Sequence, residues 1–575
     1  MPENYHNTYY DTRGNTIRPL PFTEAIIKGI AQGGGLFVPQ VLPRFSSNEI
    51  AELGKVDYAT CAATVYKRFG VDLPHELIDA LMVEAYGDNF DTPVIAPVVE
   101  LAANTYVLEL WHGPTSAFKD MALQCLPHFF SAAIKQLRAQ EAVAESDELA
   151  TTSKIASIDR AESGASAGVS PGASAGASAG VPAVSSASTS SGTQNDYLIL
   201  VATSGDTGKA ALEGFKDRVH TSIIVFYPHE GVSDIQYRQM VTQRGSNVGV
   251  FGVEGNFDDC QTAVKAAFND AAFNKTLAAQ YNLSLSSANS INWGRLLPQI
   301  VYYINAYAQL VCRGKLRAGD ELDICVPTGN FGNILAAWYA REVGVPIGRL
   351  FCASNENRVL TDFINTGVYD ISDRPFKLTP SPSMDILVSS NLERQLFELN
   401  GRNATAIRKW MDDLNARGCF QVDRETFAAM RGHYSADWVS SDECLETIRE
   451  VFESYTYLLD PHSAVAWKVA ERLRGSNPVL VVSTAHWAKF GADVYRALSG
   501  LPAGSALPSN VSQLSDAEIN LLLSQKHGAG AIPKPLTEIN SLPVRFSQVC
   551  QGTSTGVQAS VTGWLRERHI VGMSD

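Results

Sequence analysis

The chain is 575 residues long, which is too long for one hydrophobic core and indicates about three or four domains. Hydrophobic residues make up 45% of the sequence and aromatic residues 9%, a composition typical of globular proteins. The formal net charge of -14 argues against a nucleic-acid-binding protein, because phosphate backbones attract basic surfaces.

Cysteine usage and hydropathy indicate in which cellular compartment we expect the protein. The nine cysteines lie singly between Cys61 and Cys550 without a CxxC pair, which favours a reducing compartment and predicts no metal site. The first residues lack an apolar signal core, and no run approaches the roughly 20 apolar residues that cross a bilayer. We therefore expect a cytoplasmic protein that binds neither nucleic acid nor membrane and exists as a monomer or homodimer.

Two helices are predicted in the first 100 residues, over 22–31 and 75–86, where apolar residues recur at helical spacing. From about 141 to 195 the sequence consists largely of Ser, Ala and Gly, and no aromatic residue occurs between Phe130 and Tyr197. Such a segment offers too little apolar surface to offset the entropy of ordering, so we predict a disordered insertion. A tolerated surface loop and a regulatory or docking loop are the two interpretations of it.

Short apolar runs bounded by Gly, Pro or polar residues alternate with helical patterns through the rest of the chain. The runs predicted to be buried strands cover 196–203, 222–228, 321–327 and 478–484. A helix is predicted over 334–343, and another over 515–526 with Ser515 and Glu518 as its capping box. This alternation is typical of α/β proteins in which helices cover doubly wound parallel sheets.

The strand-to-helix junction in VPTGNFGNILAAWYA (326–340) has the composition of an anion-binding turn. Gly329 and Gly332 allow the backbone to turn its N–H groups toward an anion, and Asn330 and Asn333 add side-chain donors. Ligands of doubly wound sheets bind where strands end and helices begin. The junction therefore predicts a cradle for a cofactor phosphate, with an ordinary strand-to-helix turn as the alternative.

A second junction, LVATSGDTGKAALEGF (200–215), places Ser204 and Thr207 at the start of a helix, where they could hold a carboxylate or phosphate. A nucleotide-binding P-loop is excluded, because its pattern requires Gly at the position of Thr203 and Ser or Thr at that of Ala210. Simple capping of the helix by one of the two hydroxyls is the alternative.

A third junction, VVSTAHWAKFG (481–491), ends a predicted strand with Ser483, Thr484 and His486. A hydroxyl at this position could meet a ring nitrogen of a cofactor. The alternative is that the threonine simply forms a turn.

Lys119 begins an apolar helical pattern that includes Ala122, Leu126 and Ile134, and Pro127 is expected to kink that helix. Burial near a positive helix end lowers the pKa of a lysine and favours the neutral amine, which attacks aldehydes. A lysine, a phosphate cradle and a hydroxyl for a pyridine nitrogen are the components of a pyridoxal-phosphate site. A lysine whose stem lies along the helix while its ammonium reaches solvent is the alternative.

These stretches resemble the threonine synthase family, in the longer form found in fungi and many bacteria. The resemblance covers nearly the whole chain except the insertion, in matching order, and is looser in the tail. The motifs that carry it are YYDTRG, GGGLFVPQ, HGPTSAFKDMALQ, ATSGDTGKAA, VEGNFDDCQTAVKAAF, SANSINWGRLLPQIVYY, VPTGNFGNILAAWYA, SNENRVLTDF, SPSMDILVSSNLERQLFE, LDPHSAVAW and STAHWAKF.

The resemblance implies the fold-type II pyridoxal-phosphate architecture, an α/β fold of doubly wound sheets covered by helices, with an added N-terminal domain. The expected domains are an N-terminal domain (1–100), a large cofactor-binding domain (101–140 and 286–510), the insertion (141–195), a small α/β domain (196–285) and a C-terminal extension (511–575). The extension is expected to pack on the large domain.

The activity implied by the resemblance is that of a lyase at the last step of threonine biosynthesis. O-phospho-L-homoserine and water would give L-threonine and phosphate by γ-elimination and β-hydration, with pyridoxal 5'-phosphate as an electron sink. Lys119 would bind the cofactor covalently and shuttle protons among the substrate carbons. The residues implied to bind the cofactor are Lys119, Gly329, Asn330, Phe331, Asn333 and Thr484, with no metal.

Substrate binding is implied for a further set of residues. The loop of Ser204, Asp206 and Thr207 is similar to the one that grips the substrate carboxylate in this fold type. Substrate phosphate requires cations, and Arg295 and Arg394 are the candidates, each with a structural ion pair as the alternative.

Other residues near these motifs have structural interpretations or depart from the family pattern. Asp460 and His462 in LDPH are expected to order the site as a satisfied buried pair. Trp487 stands where the family pattern has proline, and Pro127 lies within the helix that carries Lys119. Neither departure falls on an implied catalytic position, although both could alter the shape of the pocket.

Overall fold

The computed structural model describes residues 5–143, 196–203, 205–229, 231–528 and 530–571. The predicted insertion therefore lies outside the described residues from 144 to 195, as does Ser204. Residues 141–143 are described and continue a helix.

The helices alternate with the strands along most of the chain, as predicted. In chain order they are α1 (Phe22–Lys28), α2 (Ser47–Leu53), α3 (Tyr58–Arg68), α4 (His75–Ala85), α5 (Lys119–Leu123), α6 (126–143), α7 (Asp206–Phe215), α8 (Asp234–Val241), α9 (Phe257–Asn269), α10 (Ala271–Tyr281), α11 (Trp293–Cys312), α12 (Gly332–Glu342), α13 (Val359–Thr366), α14 (Leu392–Leu399), α15 (Ala404–Arg417), α16 (Arg424–His433), α17 (Ser441–Tyr455), α18 (Pro461–Leu473), α19 (Gly491–Leu498), α20 (Asp516–His527), α21 (Lys534–Thr537) and α22 (Ser554–Val571).

The strands are short, and five of those described are buried along their whole length. They are β1 (Thr8–Asp11), β2 (Leu20–Pro21), β3 (Phe37–Pro39), β4 (Val98–Ala102), β5 (Thr105–Glu109), β6 (Asp196–Ala202), β7 (Thr221–Pro228), β8 (Val248–Val253), β9 (Leu283–Ser286), β10 (Leu322–Pro327), β11 (Ile347–Ser354), β12 (Val368–Asp370), β13 (Cys419–Gln421), β14 (Tyr434–Trp438), β15 (Val479–Ser483) and β16 (Val549–Cys550). The strands β6, β7, β10 and β15 confirm the four predicted from apolar runs.

Two parallel sheets form the body of the described chain. The large sheet has the order β14-β11-β10-β15-β5-β4 and is parallel except for the antiparallel edge pair β4 and β5. The small sheet has the order β16-β8-β7-β6-β9 and is parallel throughout. Buried parallel strands need apolar residues on both faces, which is why they appeared in the sequence as continuous runs.

The N-terminal region packs directly on the large domain. Its antiparallel sheet has the order β2-β1-β3, and the ring of Tyr9 in β1 lies 5.7 Å from that of Trp293 at the start of α11. Phe22 in α1 makes a similar contact, 6.2 Å between ring centroids, with Phe129 in α6. The first 100 residues therefore share one hydrophobic core with the helices around the large sheet.

The helix that begins at Lys119 is interrupted after five residues, whereas Pro127 was expected only to kink it. The helix α5 ends at Leu123, Gln124 and Cys125 form a turn, and α6 starts at 126. Pro127 thus lies in the first turn of a new helix, where its missing N–H needs no partner. The break leaves Lys119 on a helix of only five residues.

The C-terminal extension differs from the expectation that it packs on the large domain. Helix α20, capped by Ser515 and Glu518 as predicted, does pack against α19 of the large domain. The last elements do not, because β16 extends the small sheet beside β8 and α22 lies against α9. Val557 and Val561 of α22 are fully buried in the small-domain core. Among the described residues, no helix is both long and apolar enough to cross a membrane.

Candidate active site

A cavity of about 290 Å³ lies between the two parallel sheets, at the carboxyl ends of their strands. This volume is at the lower end of the roughly 300–1,000 Å³ of small-molecule sites. Strand ends and helix starts meet here, so backbone donors are concentrated around the cavity. Its walls include Lys119, Ala202, Thr203, Thr207, Arg295, Gly329, Asn330, Phe331, Asn333, Ser383, His462 and Thr484.

The turn from β10 into α12, residues 328–333, forms one wall of the cavity. Phe331 adopts a left-handed conformation (φ 63°), an unusual state for a non-glycine residue, and its ring is anchored 5.6 Å from that of Tyr434. A Cβ atom at Gly329 would lie 3.0 Å from the carbonyl oxygen of Ser383, so a side chain there would require the neighbouring loop to move away.

Asn333, in the first turn of α12, presents an unpaired donor. The hydroxyls of Tyr302 and Tyr303 each donate to its Oδ1 at 2.5 Å, which fixes the orientation of the amide. Its Nδ2 is buried and has no hydrogen-bond partner within the described chain. Since buried donors are rarely left unpaired, this amide nitrogen fits an anion bound at the helix start.

Arg295, near the start of α11, is the second such donor. Its side chain is buried, Nη1 donates to the carbonyl oxygen of Ala288 at 3.0 Å, and Nε has no partner among the described residues. Burial lowers the pKa of Arg295 to about 10, which still leaves it cationic at neutral pH. A buried guanidinium facing a cavity without a carboxylate partner fits an anionic ligand.

Lys119 also lines the cavity. Its Nζ donates to Ser383 Oγ at 3.2 Å and lies 3.5 Å from Asp206 Oδ2. Burial lowers its pKa, Asp206 opposes that shift, and the nearby charges of Lys489 and Arg295 add to it. The amine therefore loses its proton more readily than an exposed lysine does.

Two backbone contacts hold the loop before Lys119. The N–H of Phe118 donates to the carbonyl oxygen of Thr484 at 2.7 Å, and Ala117 forms an antiparallel bridge with Ala485. Asp120 accepts from the N–H and hydroxyl of Thr115 at 2.8 and 2.7 Å. The lysine and the threonine predicted to face a pyridine nitrogen are thus brought together by the same contacts.

Asp206, the first residue of α7, is a buried carboxylate in contact with four side chains, those of Lys489, Gln236, Ser383 and Lys119. Lys489 lies 2.7 Å from its Oδ1, and Gln236 Nε2 donates to the same oxygen at 2.9 Å. Although burial alone would raise it, Lys489 and Lys119 hold the pKa of Asp206 well below its usual range. A fixed anion at this place repels a substrate carboxylate, so Asp206 itself does not provide the predicted grip.

The pair Asp460 and His462 orders the loop that carries Ser383. The N–H of Ser383 donates to His462 Nε2 at 3.1 Å, which requires the ring proton to be on Nδ1. That nitrogen lies 2.7 Å from Asp460 Oδ1, so the carboxylate fixes the tautomer and the ring. These contacts are consistent with the structural role expected for Asp460 and His462.

The other three residues predicted to bind substrate differ in their placement. Thr207 lines the cavity, whereas Ser204 lies outside the described residues. Arg394 is buried away from the cavity lining, and its guanidinium donates to Phe37 O, Asn391 Oδ1 and Ile291 O. Because all three nitrogens are already used, Arg394 stabilises the fold and is not placed to bind a substrate phosphate.

Three site residues were missed in the sequence. Lys489, like Lys119, stands in an apolar stretch, and that pattern could have indicated a buried cation. Ser383 and Gln236 gave no local signal, because a serine in a loop and a glutamine on a helix are common. Arg13 and Lys265 also line the cavity, where Arg13 is paired with Glu393 at 2.8 Å.

Comparison with known proteins identifies the family to which the sequence is similar. Family models described as "Threonine synthase N terminus" and "Threonine synthase, C-terminal" match residues 8–86 and 463–559. The protein "Threonine synthase-like 1" of Homo sapiens is 40% identical over 83% of this chain, which spans only 58% of that relative's length. The "Threonine synthase" of Pseudomonas aeruginosa is 36% identical, over 89% of this chain and 94% of its own.

Solved structures extend the similarity over almost the whole fold. The crystal structure of "PLP bound Threonine synthase from Brucella melitensis" aligns with a TM-score of 0.75 at 33% identity, covering 98% of this chain and 99% of that one. "Threonine Synthase from Yeast" aligns with a TM-score of 0.76 at 30% identity, covering 97% and 99%. From these similarities, the chain belongs to the threonine synthase family and has the α/β fold of fold-type II pyridoxal-phosphate enzymes.

Proposed function

We propose that this protein is a pyridoxal-phosphate-dependent threonine synthase, which converts O-phospho-L-homoserine and water to L-threonine and phosphate at the last step of threonine biosynthesis. The observation that carries the proposal is the position of Lys119. Its amine lies in a cavity whose facing wall holds the unpaired Asn333 donor at the start of α12. Full-length relatives of this name, one of them solved with the cofactor, support the choice.

The cofactor would be held at both ends of the cavity. Gly329, Asn330, Phe331 and Asn333 would bind its phosphate, and Thr484 would face its pyridine nitrogen. When bound, pyridoxal phosphate supplies an aldehyde for Lys119 and an electron sink for negative charge on substrate carbons. The unpaired Nδ2 of Asn333 is the feature of this chain that fits a phosphate most directly.

Lys119 would move protons between substrate carbons once its amine is free. Burial lowers the pKa of Lys119, which favours the neutral amine that a general base requires. Ser383 Oγ at 3.2 Å and Asp206 at 3.5 Å accept its N–H groups and so orient the amine. These contacts let one residue both accept and return a proton within the cavity.

The anionic groups of the substrate would be bound by the two sides of the cavity. Arg295, with its unpaired Nε, is the cation placed for the substrate phosphate. Thr207, which lines the cavity, would donate its hydroxyl to the carboxylate. Among the described residues there is no group of three or more His, Cys, Asp or Glu side chains that could hold a metal ion.

A turnover assay with O-phospho-L-homoserine tests the proposal when phosphate and the amino-acid product are both identified. We expect equal amounts of phosphate and L-threonine. Phosphate accompanied by 2-oxobutyrate and ammonia would instead indicate a phospho-lyase of the same fold. Substrate binding without turnover, unchanged in Lys119→Ala, would indicate a non-catalytic binding protein. Either result would contradict the proposal.

A further inference from the structure

A second buried lysine lies next to the site. The side chain of Lys489 is fully buried, its Nζ lies 2.7 Å from Asp206 Oδ1, and it donates to the carbonyl oxygen of Thr115 at 3.0 Å. A buried ammonium is tolerated only when it is paired and hydrogen-bonded. Lys489 therefore connects the end of β15, the loop before Lys119 and the start of α7.

Asp206 is shared between two lysines. Its Oδ1 contacts Lys489, and its Oδ2 lies 3.5 Å from Lys119 Nζ. With all three groups ionised, this buried cluster carries one excess positive charge. Loss of one proton from one lysine would leave the cluster neutral, which a poorly solvated region favours.

The two lysines differ in their contacts with Asp206. Lys489 has the shorter distance to Asp206, 2.7 Å against 3.5 Å, and a carbonyl acceptor in Thr115. It lies outside the lining of the cavity, whereas Lys119 is part of that lining. Lys489 is thus the better-paired cation, and Lys119 is the one that can reach a ligand.

We propose that Lys489 is a positioning residue that neutralises and orients Asp206, so that Lys119 is the lysine presented to the cavity as a neutral amine. The inference rests on the proposed imine between Lys119 and pyridoxal phosphate, and it assigns a role to Lys489 that the proposed reaction alone does not require. Lys489 touches neither substrate nor cofactor, and it acts on Lys119 through its contact with Asp206 and through its own nearby positive charge.

Other charged groups near Lys119 are accounted for. Arg295 on α11 adds a second cationic influence, and Asp120 on α5 is occupied by Thr115. His462 on α18 reaches Lys119 only through Ser383 and is already bonded to Asp460. These groups are unchanged in the variants below, so a shift between variants reports the charge at position 489.

The test is a pH titration of the imine absorbance in the full-length protein loaded with pyridoxal phosphate. In Lys489→Met, Asp206 remains negative and loses its main counter-charge, so it stabilises the protonated imine more strongly. We expect the pKa of the imine to rise by about one unit. Lys489→Arg keeps the cation and should titrate close to the wild type.

Lys468→Met is the matched control, because Lys468 is a partly exposed lysine of α18 paired with Glu450 on the surface. It should leave the imine titration unchanged. If Lys489 served packing alone, Lys489→Met would lower the stability of the protein without changing the pKa of the imine. That result, with an intact imine, would overturn the inference.

Lys489→Met leaves Asp206 as an unpaired buried carboxylate and could fail to fold for that reason. A second pair of variants covers this case. Asp206→Asn and the double variant Asp206→Asn/Lys489→Met are then titrated side by side. Here Lys489→Met removes only a cation, and the imine pKa of the double variant should again lie about one unit higher. Equal values would overturn the inference, whereas absence of any imine at Lys119 in the wild type would instead contradict the proposed function.

Discussion

Two strand-to-helix turns line the cavity, and their side chains prepare it for opposite charges. The turn into α12 offers the unpaired Nδ2 of Asn333 and contains no carboxylate. In the turn into α7, Thr203 Oγ1 already accepts from the N–H groups of Gly205 and Gly208, at 3.0 and 2.8 Å, and Asp206 is a buried anion. One turn can receive a phosphate, whereas the other controls the charge of Lys119.

The comparison shows that a glycine-rich turn at a helix start does not by itself define an anion site. Both turns have the backbone geometry for one, yet the side chains inside them decide whether donors stay available. The largest expected effects should therefore come from Lys119 and Asp206, smaller ones from Asn333, and the smallest from charges outside both turns.

Removing the amine of Lys119 should have the largest effect on activity. We expect Lys119→Ala to lower threonine formation by at least about 1,000-fold, because it removes both the cofactor bond and the proton-transferring group. Product formation is followed by amino-acid analysis, with Lys468→Ala as the control for general damage. Residual activity within about tenfold of the wild type would contradict the role of Lys119.

Neutralising the carboxylate of the α7 turn should lower stability. Asp206→Asn leaves Lys489 buried without a counter-charge, which we expect to reduce the free energy of unfolding by about 3 kcal/mol. Urea unfolding of the full chain measures the loss. The double variant Asp206→Asn/Lys489→Met removes both charges and should recover most of it. An equal loss in both variants would show that the pairing is not its cause.

Removing the unpaired donor of the α12 turn should weaken cofactor binding. Asn333→Ala deletes one hydrogen bond to an anion, so we expect the Kd for pyridoxal phosphate to rise by about tenfold, or about 1.4 kcal/mol. Fluorescence or absorbance titration of cofactor-free protein gives this value. Asn365→Ala, at an exposed position of α13, is the control. An unchanged Kd for Asn333→Ala would place the phosphate elsewhere.

A charge that touches neither turn should affect stability alone. Although burial opposes the shift, hydrogen bonds to Asp91 and Glu109 raise the pKa of His112 to about 9. Because the folded-state pKa exceeds the unfolded value of about 6.5, this stabilisation is complete below pH 6.5 and disappears as the pH rises through 9. His112→Asn should therefore cost about 1–2 kcal/mol at pH 6, allowing for the half-exposed Asp91, and much less at pH 10.

Thermal unfolding of His112→Asn at the two pH values tests this sign. The free-energy difference from the wild type should shrink as the pH rises. A difference that is the same at pH 6 and pH 10 would show that the imidazole contributes through packing.

Much of the fold was predictable because its signals are local. The strands β6, β7, β10 and β15 are continuous apolar runs ended by Pro or a polar residue, and α12 follows a glycine-rich turn. Such features depend on neighbouring residues only. The N-terminal packing and the position of α22 on the small domain depend on contacts between distant segments, which periodicity does not encode.

The site was predictable to the extent that it consists of motifs. Arg295 and Arg394 look alike in the sequence, and only the structure shows that Arg394 is bonded to Phe37, Asn391 and Ile291 while Arg295 faces the cavity. The lysine at 489 was visible in the sequence, but its pairing with Asp206 joins residues almost three hundred positions apart. Long-range pairing of this kind requires coordinates.

The central claim is that one amine, at position 119, binds the aldehyde of the cofactor. Borohydride reduction of the protein loaded with pyridoxal phosphate, followed by peptide mass mapping, tests it most directly. We predict that the peptide containing Lys119 gains the mass of the reduced cofactor, while the peptide containing Lys489 remains unmodified. An unmodified Lys119 peptide, or a label on Lys489, would contradict it.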